Sequence, residues 1–194
     1  MIDYIKVTEE VRSFTEKNVK KSRYEHSVRV AEMCTALCRL YGLDDKKGYL
    51  SGIGHDMCKD FSDEKLFELA KKDGEEISKL EENKPSLLHG RAAAILFSEK
   101  FNIKDKDVLE AVANHTSGKL GMCDIAKCLF IADKIEPGRP QSTKEYRERL
   151  FKMTLDGMFY EVLKENYDYI LKKGYTVYDK TLEMIEYYKE KSKS

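Results

Sequence analysis

Apolar residues recur at spacings of three and four positions along most of the chain, and they rarely alternate with polar residues. This spacing gathers them on one face of an α-helix, so the pattern predicts an all-α fold. Prolines stand only at positions 85, 137 and 140 and leave most of these stretches uninterrupted. The predicted helices cover about residues 8 to 19, 22 to 42, 44 to 57, 62 to 74, 85 to 101, 105 to 115, 124 to 135, 143 to 173 and 177 to 191.

Local signals refine two of these boundaries. Ser22, followed by Glu25 three positions later, predicts a capping box at the start of the second helix. The charged stretch 75–84 lacks helical periodicity, so we predict a mobile loop there. Whether this loop closes over a substrate is left open.

The length of 194 residues suits a single domain, 1–194, with one substantial core. We expect a helical bundle that ends in two longer helices, which form a tail at about residues 141 to 194. Eight of the twelve tyrosines lie in this tail. An aromatic-rich pair of helices is typical of packing or of a dimer surface, so a homodimer stays an open prediction.

Charge and apolar runs exclude several classes of function. Lysine plus arginine and aspartate plus glutamate are equal at 35 each, which gives no electrostatic basis for binding nucleic acid. The sequence has no apolar run near the roughly 18 residues of a membrane span, and its start lacks the features of a secretory signal. The five cysteines include no Cys-x-x-Cys pair, as expected of buried thiols in a reducing compartment. We therefore predict a cytoplasmic protein that binds neither nucleic acid nor membranes.

Five of the predicted helices carry a metal-ligand residue on an otherwise apolar stripe. These residues are His26, Asp56, His89, His115 and Asp133. His55 directly precedes Asp56, so all four histidines of the chain lie on or beside a core-facing position. An unpaired carboxylate in an apolar interior costs several kcal/mol or becomes protonated, whereas a cation stabilises it. The pattern therefore predicts a metal site inside the helical bundle.

Four imidazoles and two carboxylates exceed the about four ligands of a structural zinc site. They suit two ions about 3.5 to 4 Å apart that share a carboxylate. The predicted ligands are His26, His55, Asp56 and Asp133 for one ion, and His89, His115 and the shared Asp56 for the other. A donor set without thiolate favours iron, manganese, cobalt or zinc. Such a pair makes hydroxide available as a nucleophile near neutral pH.

Basic residues stand close to most of the predicted ligands and favour an anionic substrate. They are Arg23, Lys59, Arg91 and Arg139. Each by itself is also typical of a solvated surface, so the prediction depends on their common position beside the ligands. Together with a two-metal centre, they predict hydrolysis of a phosphate ester or anhydride.

The ordered ligands resemble the HD superfamily of metal-dependent phosphohydrolases, which is named for its His-Asp doublet. Longer strings around the ligands are similar to the YqeK-type symmetrical diadenosine tetraphosphate hydrolases of bacteria. These strings are Arg23-Tyr24-Glu25-His26-Ser27, His55-Asp56-x-x-Lys59, Leu88-His89-Gly90, His115-Thr116-Ser117-Gly118 and Ile131-Ala132-Asp133-Lys134-Ile135-Glu136-Pro137-Gly138-Arg139. The similarity covers about residues 20 to 140, and the Ala-Asp-Lys-Ile-Glu-Pro string is its most specific part.

The resemblance implies an HD domain whose metal-site core spans about residues 20 to 140. It implies two divalent ions, with iron the common choice and manganese, cobalt, zinc or magnesium as alternatives. The substrate would be a dinucleoside polyphosphate, and diadenosine tetraphosphate would be cleaved at its central phosphoanhydride into two ADP. The predicted catalytic residues are Asp56 and Lys59, and the predicted substrate contacts are Arg23, Lys59, Thr116, Glu136 and Arg139.

Three alternatives share this ligand set. The same hydrolytic chemistry acts on other nucleotides, such as a nucleoside monophosphate, a guanosine alarmone or a cyclic dinucleotide. A di-iron site of imidazoles and carboxylates also activates oxygen, which would make the protein an oxidoreductase. A protein that keeps the ligands without turnover would be a nucleotide or metal sensor.

Overall fold

The helical periodicity of the sequence is realised in the computed structural model, which describes residues 3–178 and 180–192. Within these ranges the chain forms eleven α-helices and no β-strand, which confirms the all-α prediction. Two short 3-10 helices, Lys71–Asp73 and Pro85–Leu88, stand between them. The α-helices are α1 (Tyr4–Asn18), α2 (Lys21–Leu40), α3 (Asp45–Gly54), α4 (Asp63–Ala70), α5 (Lys79–Asn83), α6 (His89–Glu99), α7 (Lys106–Asn114), α8 (Asp124–Ile135), α9 (Lys144–Leu150), α10 (Leu155–Lys172) and α11 (Thr181–Lys191).

The core is built around α2, which packs against both α3 and α8. Val30 and Leu37 on the apolar stripe of α2 are fully buried. Gly52 of α3 allows a close approach, because a Cβ atom there would lie 2.5 Å from the Cα atom of Ala31. The distance between α2 and α3 is therefore set by a backbone contact that leaves no room for a side chain.

Two helices start earlier than the sequence predicts. α1 begins at Tyr4 rather than near residue 8, because the side chain of Asp3 accepts hydrogen bonds from free N–H groups of the first turn. α2 begins one residue before Ser22, and its N-cap residue Lys20 makes no side-chain capping bond. The predicted capping box between Ser22 and Glu25 is therefore wrong.

The predicted mobile loop at 75–84 contains helix α5, which begins with a capping box between Ser78 and Glu81. Arg91 of α6 fixes this segment to the bundle. Its guanidinium lies 2.7 Å from Asp73 and 3.2 Å from Glu81, and it donates to two backbone carbonyls of the segment. These partners occupy the guanidinium, so Arg91 is held at the 71–84 segment instead of beside the predicted ligands.

The tail contains three helices instead of the two predicted. The single helix predicted for residues 143 to 173 is divided into α9 and α10, because Thr154 caps α10 with its side-chain oxygen. The ring centroid of Phe159 in α10 lies 5.1 Å from that of Phe130 in α8 and 4.6 Å from that of Tyr188 in α11. The buried apolar core thus continues from α8 into the tail, which supports the proposal of a single domain.

All five cysteines are free thiols, and four of them are buried. No helix in the described part of the chain combines the length and the apolar character needed to cross a membrane.

Candidate metal and substrate site

The His-Asp doublet lies directly after the end of α3. The helix ends at Gly54, and the chain continues in tight turns, the first of which is closed by a hydrogen bond from the N–H of Met57 to the carbonyl of Gly54. The prediction that this helix extends to Met57 is therefore wrong. His55 is the C-cap residue of α3 and is fully buried, and Asp56 is 5% exposed. The helix end thus places both side chains in the interior.

Three of the histidines are anchored in the same way, by a carbonyl three positions earlier in the chain. Nδ1 of each ring donates to this carbonyl over 2.6 to 2.8 Å. The pairs are His55 with Gly52, His89 with Ser86, and His115 with Val112. His55 and His115 directly follow the ends of α3 and α7, where carbonyls have no partner within the helix. His89 follows the 3-10 helix Pro85–Leu88 and is the first residue of α6. Because a carbonyl only accepts, Nδ1 carries the proton in each ring and Nε2 keeps its lone pair.

His26 is oriented by a carboxylate instead. Its Nδ1 donates to Oε1 of Glu136 over 3.0 Å. Oε2 of Glu136 accepts from Nε of Arg29 over 2.6 Å and from the backbone N–H of Gly138. Glu136 borders the cavity of the site, but it is only 1% exposed and the protein engages both of its oxygens. Glu136 therefore positions His26, and its contact with the substrate stays a prediction.

The Nε2 atoms of all four histidines converge on Asp56 and Asp133. The nitrogen-to-oxygen distances are 3.0 Å from His26 to Asp133, 3.8 Å from His55 to either carboxylate, 3.0 Å from His89 to Asp56 and 3.6 Å from His115 to Asp56. Asp56 belongs to two groups whose ligand atoms lie within 4.8 Å of one another, one with His26 and His55 and one with His89 and His115. The six residues singled out in the sequence thus form one buried cluster with a shared carboxylate.

The chemistry of this cluster fits divalent cations. Nε2 of His55 is buried and has no hydrogen-bond partner among the residues that the structure describes. The Nε2 atoms of His89 and His115 lie 2.9 Å apart. Since both rings carry their proton on Nδ1, two lone pairs face each other there. A cation that binds both nitrogens removes this repulsion.

Burial favours the neutral form of three imidazoles of the cluster. It lowers the pKa of His55 to about 4, and it also lowers the pKa values of His89 and His115. In His26, burial also lowers the pKa, but the hydrogen bonds with Asp133 and Glu136 outweigh it and raise the pKa above 6.5. Burial opposes the ionisation of Asp56 and Asp133, yet both pKa values lie well below 3.8. Lys134 and Arg139 stabilise the carboxylate of Asp133, and Arg23 donates to that of Asp56. Neutral imidazoles and ionised carboxylates are the forms that coordinate metal ions.

Two arginines hold the carboxylates of the cluster. Nη1 of Arg23 lies 2.9 Å from Oδ2 of Asp56, and Nη2 of Arg139 lies 2.7 Å from Oδ1 of Asp133. Both arginines line the cavity and keep about a third of their side chains exposed. The two predicted substrate contacts therefore lie beside the cluster, within reach of an anion in the cavity.

Lys59 and Thr116 lie beside the second group. Nζ of Lys59 and Oγ1 of Thr116 are each 3.3 Å from Nε2 of His89, and burial lowers the pKa of Lys59. Lys134 is a further cation of the site that was not among the predicted residues. Its Nζ lies 3.0 Å from Oδ2 of Asp133 and donates to a backbone carbonyl over 2.7 Å. Its position in the sequence, next to the predicted ligand Asp133 within an otherwise apolar helix, could have indicated a lysine at the site.

A cavity of about 1060 Å³ opens onto the cluster. Five cationic and four acidic side chains line it, so the site favours anions even before any cation is added. Another part of its wall comes from the tail and includes Tyr146, Asn166 and Tyr169. The position of this wall depends on how α10 packs against α8, which the sequence does not reveal.

A helical bundle in which a His-Asp doublet joins further histidines and an aspartate in one buried cluster defines the class of HD-domain proteins. The model of the HD domain family matches residues 23–138, which is more than half of the chain, and the chain belongs to this family. The matched range contains all six residues of the cluster. The resemblance to the HD superfamily is therefore confirmed.

Relatives resemble the chain over nearly its whole length. A Staphylococcus aureus protein named symmetrical bis(5'-nucleosyl)-tetraphosphatase is 32% identical over 93% of both chains. A Bacillus subtilis protein of the same name is 28% identical over 89% of this chain and 92% of its own. A crystal structure from Clostridium acetobutylicum, described as a "predicted HD superfamily hydrolase involved in NAD metabolism", is similar with a TM-score of 0.85 and 29% identity. It covers 98% of this chain and 99% of its own.

Proposed function

We propose that the protein hydrolyses dinucleoside tetraphosphates at the central phosphoanhydride, so that diadenosine tetraphosphate gives two ADP. The observation that carries this proposal is the buried cluster of six side chains, which opens into a cavity lined by five cations. The relatives from Staphylococcus aureus and Bacillus subtilis bear the name of this activity. Site chemistry and similarity thus support the same anionic substrate.

The cluster would hold two divalent cations. Iron is our choice because the resemblance to the HD phosphohydrolases implies it, and the donor set of imidazole and carboxylate without thiolate also fits manganese, cobalt or zinc. The proposed ligands are His26, His55, Asp56 and Asp133 for one cation, and His89, His115 and the shared Asp56 for the other. Bound ions of this kind polarise phosphoryl oxygens and lower the pKa of a coordinated water.

The protein's own groups orient these donors in advance. The Nδ1–H bonds to three carbonyls and to Glu136 fix all four rings with Nε2 directed at the carboxylates. Little rearrangement is then needed when ions and substrate bind. Arg139 and Lys59 border the cavity beside the two groups, where their charges would stabilise the departing diphosphate.

Product analysis tests the proposal directly. Full-length protein loaded with Fe²⁺ or Mn²⁺ is incubated with diadenosine tetraphosphate, and the nucleotides are separated by anion-exchange chromatography. We expect ADP as the sole product, with one labelled ADP per cleavage in ¹⁸O-water. Asp56→Asn should abolish ADP formation, whereas Asp168→Asn, at an exposed carboxylate on α10, should leave the rate unchanged.

Two results would contradict the proposal. Equal amounts of ATP and AMP would mean asymmetrical cleavage, and no ADP with either metal would exclude this substrate. The same assay should include the alternative substrates: a nucleoside monophosphate, a guanosine alarmone and a cyclic dinucleotide. Faster hydrolysis of one of them would replace dinucleoside tetraphosphate as the substrate.

A further inference from the structure

The cavity has a wall that lies outside the HD motif residues. Tyr146 of α9 and five residues of α10 line this wall, and one of the five is the acidic Glu165. We use the term tail wall for the other five side chains: Tyr146, Val162, Asn166, Tyr169 and Ile170. The α10 residues of the tail wall follow one another at steps of four, three and one, so they share one face of the helix. A whole helix face is therefore directed into the same cavity as the metal cluster.

The tail wall presents flat and apolar surface. Val162 is 2% exposed and forms a buried base. Tyr169 is 58% exposed, and Nζ of Lys173 lies 5.7 Å from the centroid of its ring. The hydroxyl of Tyr146 donates to Glu165, and this bond restrains the position of its ring. Aromatic rings beside aliphatic side chains are the surface on which nucleobases stack.

Asn166 supplies the polar group of the tail wall. Its side chain is half-buried, and within the described residues no hydrogen bond of its amide is found. The amide offers one acceptor and two donors. Adenine presents an N6–H donor next to its N7 acceptor and pairs with such an amide through two hydrogen bonds, whereas the same edge of guanine presents two acceptors.

We propose that the tail wall is a nucleobase subsite, in which Asn166 pairs with the edge of adenine and Tyr146 and Tyr169 provide the stacking surface. This inference rests on the proposed function, because the phosphates of the same nucleotide would lie at the metal cluster. The cavity of about 1060 Å³ has room for both parts, since sites for small ligands measure roughly 300 to 1,000 Å³.

Comparing the affinities for ADP and for inorganic pyrophosphate separates the contribution of the base from that of the phosphates. Calorimetric titration of the full, Mn²⁺-loaded chain would compare Asn166→Ala and Tyr169→Ala with the unchanged protein. We expect each variant to bind ADP about tenfold more weakly, since a bidentate amide contact and a stacked base each contribute on the order of tenfold. Pyrophosphate binding should stay the same. Asp168→Ala is the matched control, because this residue lies two positions from Asn166 on the opposite face of α10.

Two further comparisons sharpen this test. GDP should bind the unchanged protein more weakly than ADP, and Asn166→Ala should reduce the difference. Tyr169→Phe should keep the affinity of ADP, because the stacking surface remains. Equal ADP affinity in Asn166→Ala and the unchanged protein would overturn the proposal, as would a loss of pyrophosphate binding equal to that of ADP.

The experiments test the nucleobase subsite and the proposed reaction independently. If diadenosine tetraphosphate gives no ADP but Asn166→Ala selectively weakens ADP binding, the proposed reaction is wrong and the subsite stands. If ADP is the sole product but Asn166→Ala and Tyr169→Ala bind ADP normally, the reaction stands and the subsite is wrong.

Discussion

Replacing Glu136 with glutamine preserves the size of the side chain but removes an acceptor on which the orientation of His26 depends. The native carboxylate accepts hydrogen bonds from Nδ1 of His26, Nε of Arg29 and the N–H of Gly138. A glutamine amide has one oxygen and must direct its NH₂ group at one of these donors. If NH₂ faces His26, the imidazole proton moves to Nε2, and this nitrogen can no longer bind a cation. If NH₂ faces Arg29, two donors meet in a buried space.

Loss of a group that orients a metal-binding histidine typically lowers metal affinity 10- to 100-fold. This range corresponds to about 1.4 to 2.7 kcal/mol, close to the ~1.5 to 3 kcal/mol of a hydrogen bond to a charged group. Glu136 is 1% exposed, so water has little access to replace the lost acceptor. We therefore expect Glu136→Gln to fall in the upper part of the range.

Competition with a fluorescent chelator for Mn²⁺ measures this affinity, and ADP formation over a range of Mn²⁺ concentrations measures its consequence. Glu136→Gln should need much more Mn²⁺ to reach half of its maximal rate. Glu148→Gln is the matched control, because Glu148 is exposed and its only ion pair in the described structure is with Lys144. If Glu136→Gln binds Mn²⁺ as tightly as the unchanged protein, Glu136 does not orient His26 and the reasoning is refuted.

Three further predictions concern stability. Removing metal with a chelator should lower the melting temperature, because a ligand at 100 times its Kd stabilises the folded protein by about 2.7 kcal/mol. In Asp56→Asn, which lacks the shared ligand, the melting temperature should be the same with and without the chelator. Gly52→Ala should cost about 1 to 3 kcal/mol in urea unfolding, because the added Cβ would lie 2.5 Å from the Cα of Ala31; an unchanged midpoint would contradict this. Burial raises the pKa of Asp105, but Lys47 at 2.9 Å outweighs it and leaves the pKa below 3.8. Asn at position 105 still caps the helix, so Asp105→Asn removes mainly the ion pair with Lys47. The unchanged protein should therefore have a higher free energy of unfolding than Asp105→Asn above about pH 4, and this difference should shrink at lower pH. Unfolding curves in the acid range that show a constant difference would refute this.

The six residues of the cluster could be identified from the sequence, because each of them interrupts or adjoins an apolar stripe and this signal is local. The basic residues could be assigned only in part. Arg23 stands three positions before His26 on the same helix face, and it reaches the cluster. Arg91 stands two positions after His89, which is about 200° around the helix, and it faces the acidic groups of the 71–84 segment instead. The angular position of each arginine around its helix, and not its closeness to a histidine in sequence, decides whether it reaches the cluster.

The tail wall depends on contacts that no local pattern reveals. Asn166 lies 110 positions after Asp56 in the sequence, and the two residues border one cavity only because α10 packs against α8. The division of the tail at Thr154 was also hidden, since apolar spacing continues across it and a single capping bond decides the break. Local periodicity therefore predicts the helices but not which of their faces meet.

The ends of helices explain why the cluster forms where it does. α3 and α7 end one residue before His55 and His115, and α8 ends two residues after Asp133. The last carbonyls of a helix lack partners within it, so they are free to accept from Nδ1. The same ends carry partial negative charge, which stabilises a nearby cation by about 0.3 to 1 kcal/mol each. His26 lies near the start of α2, where carbonyls bond within the helix, and it therefore requires a separate acceptor, which Glu136 provides.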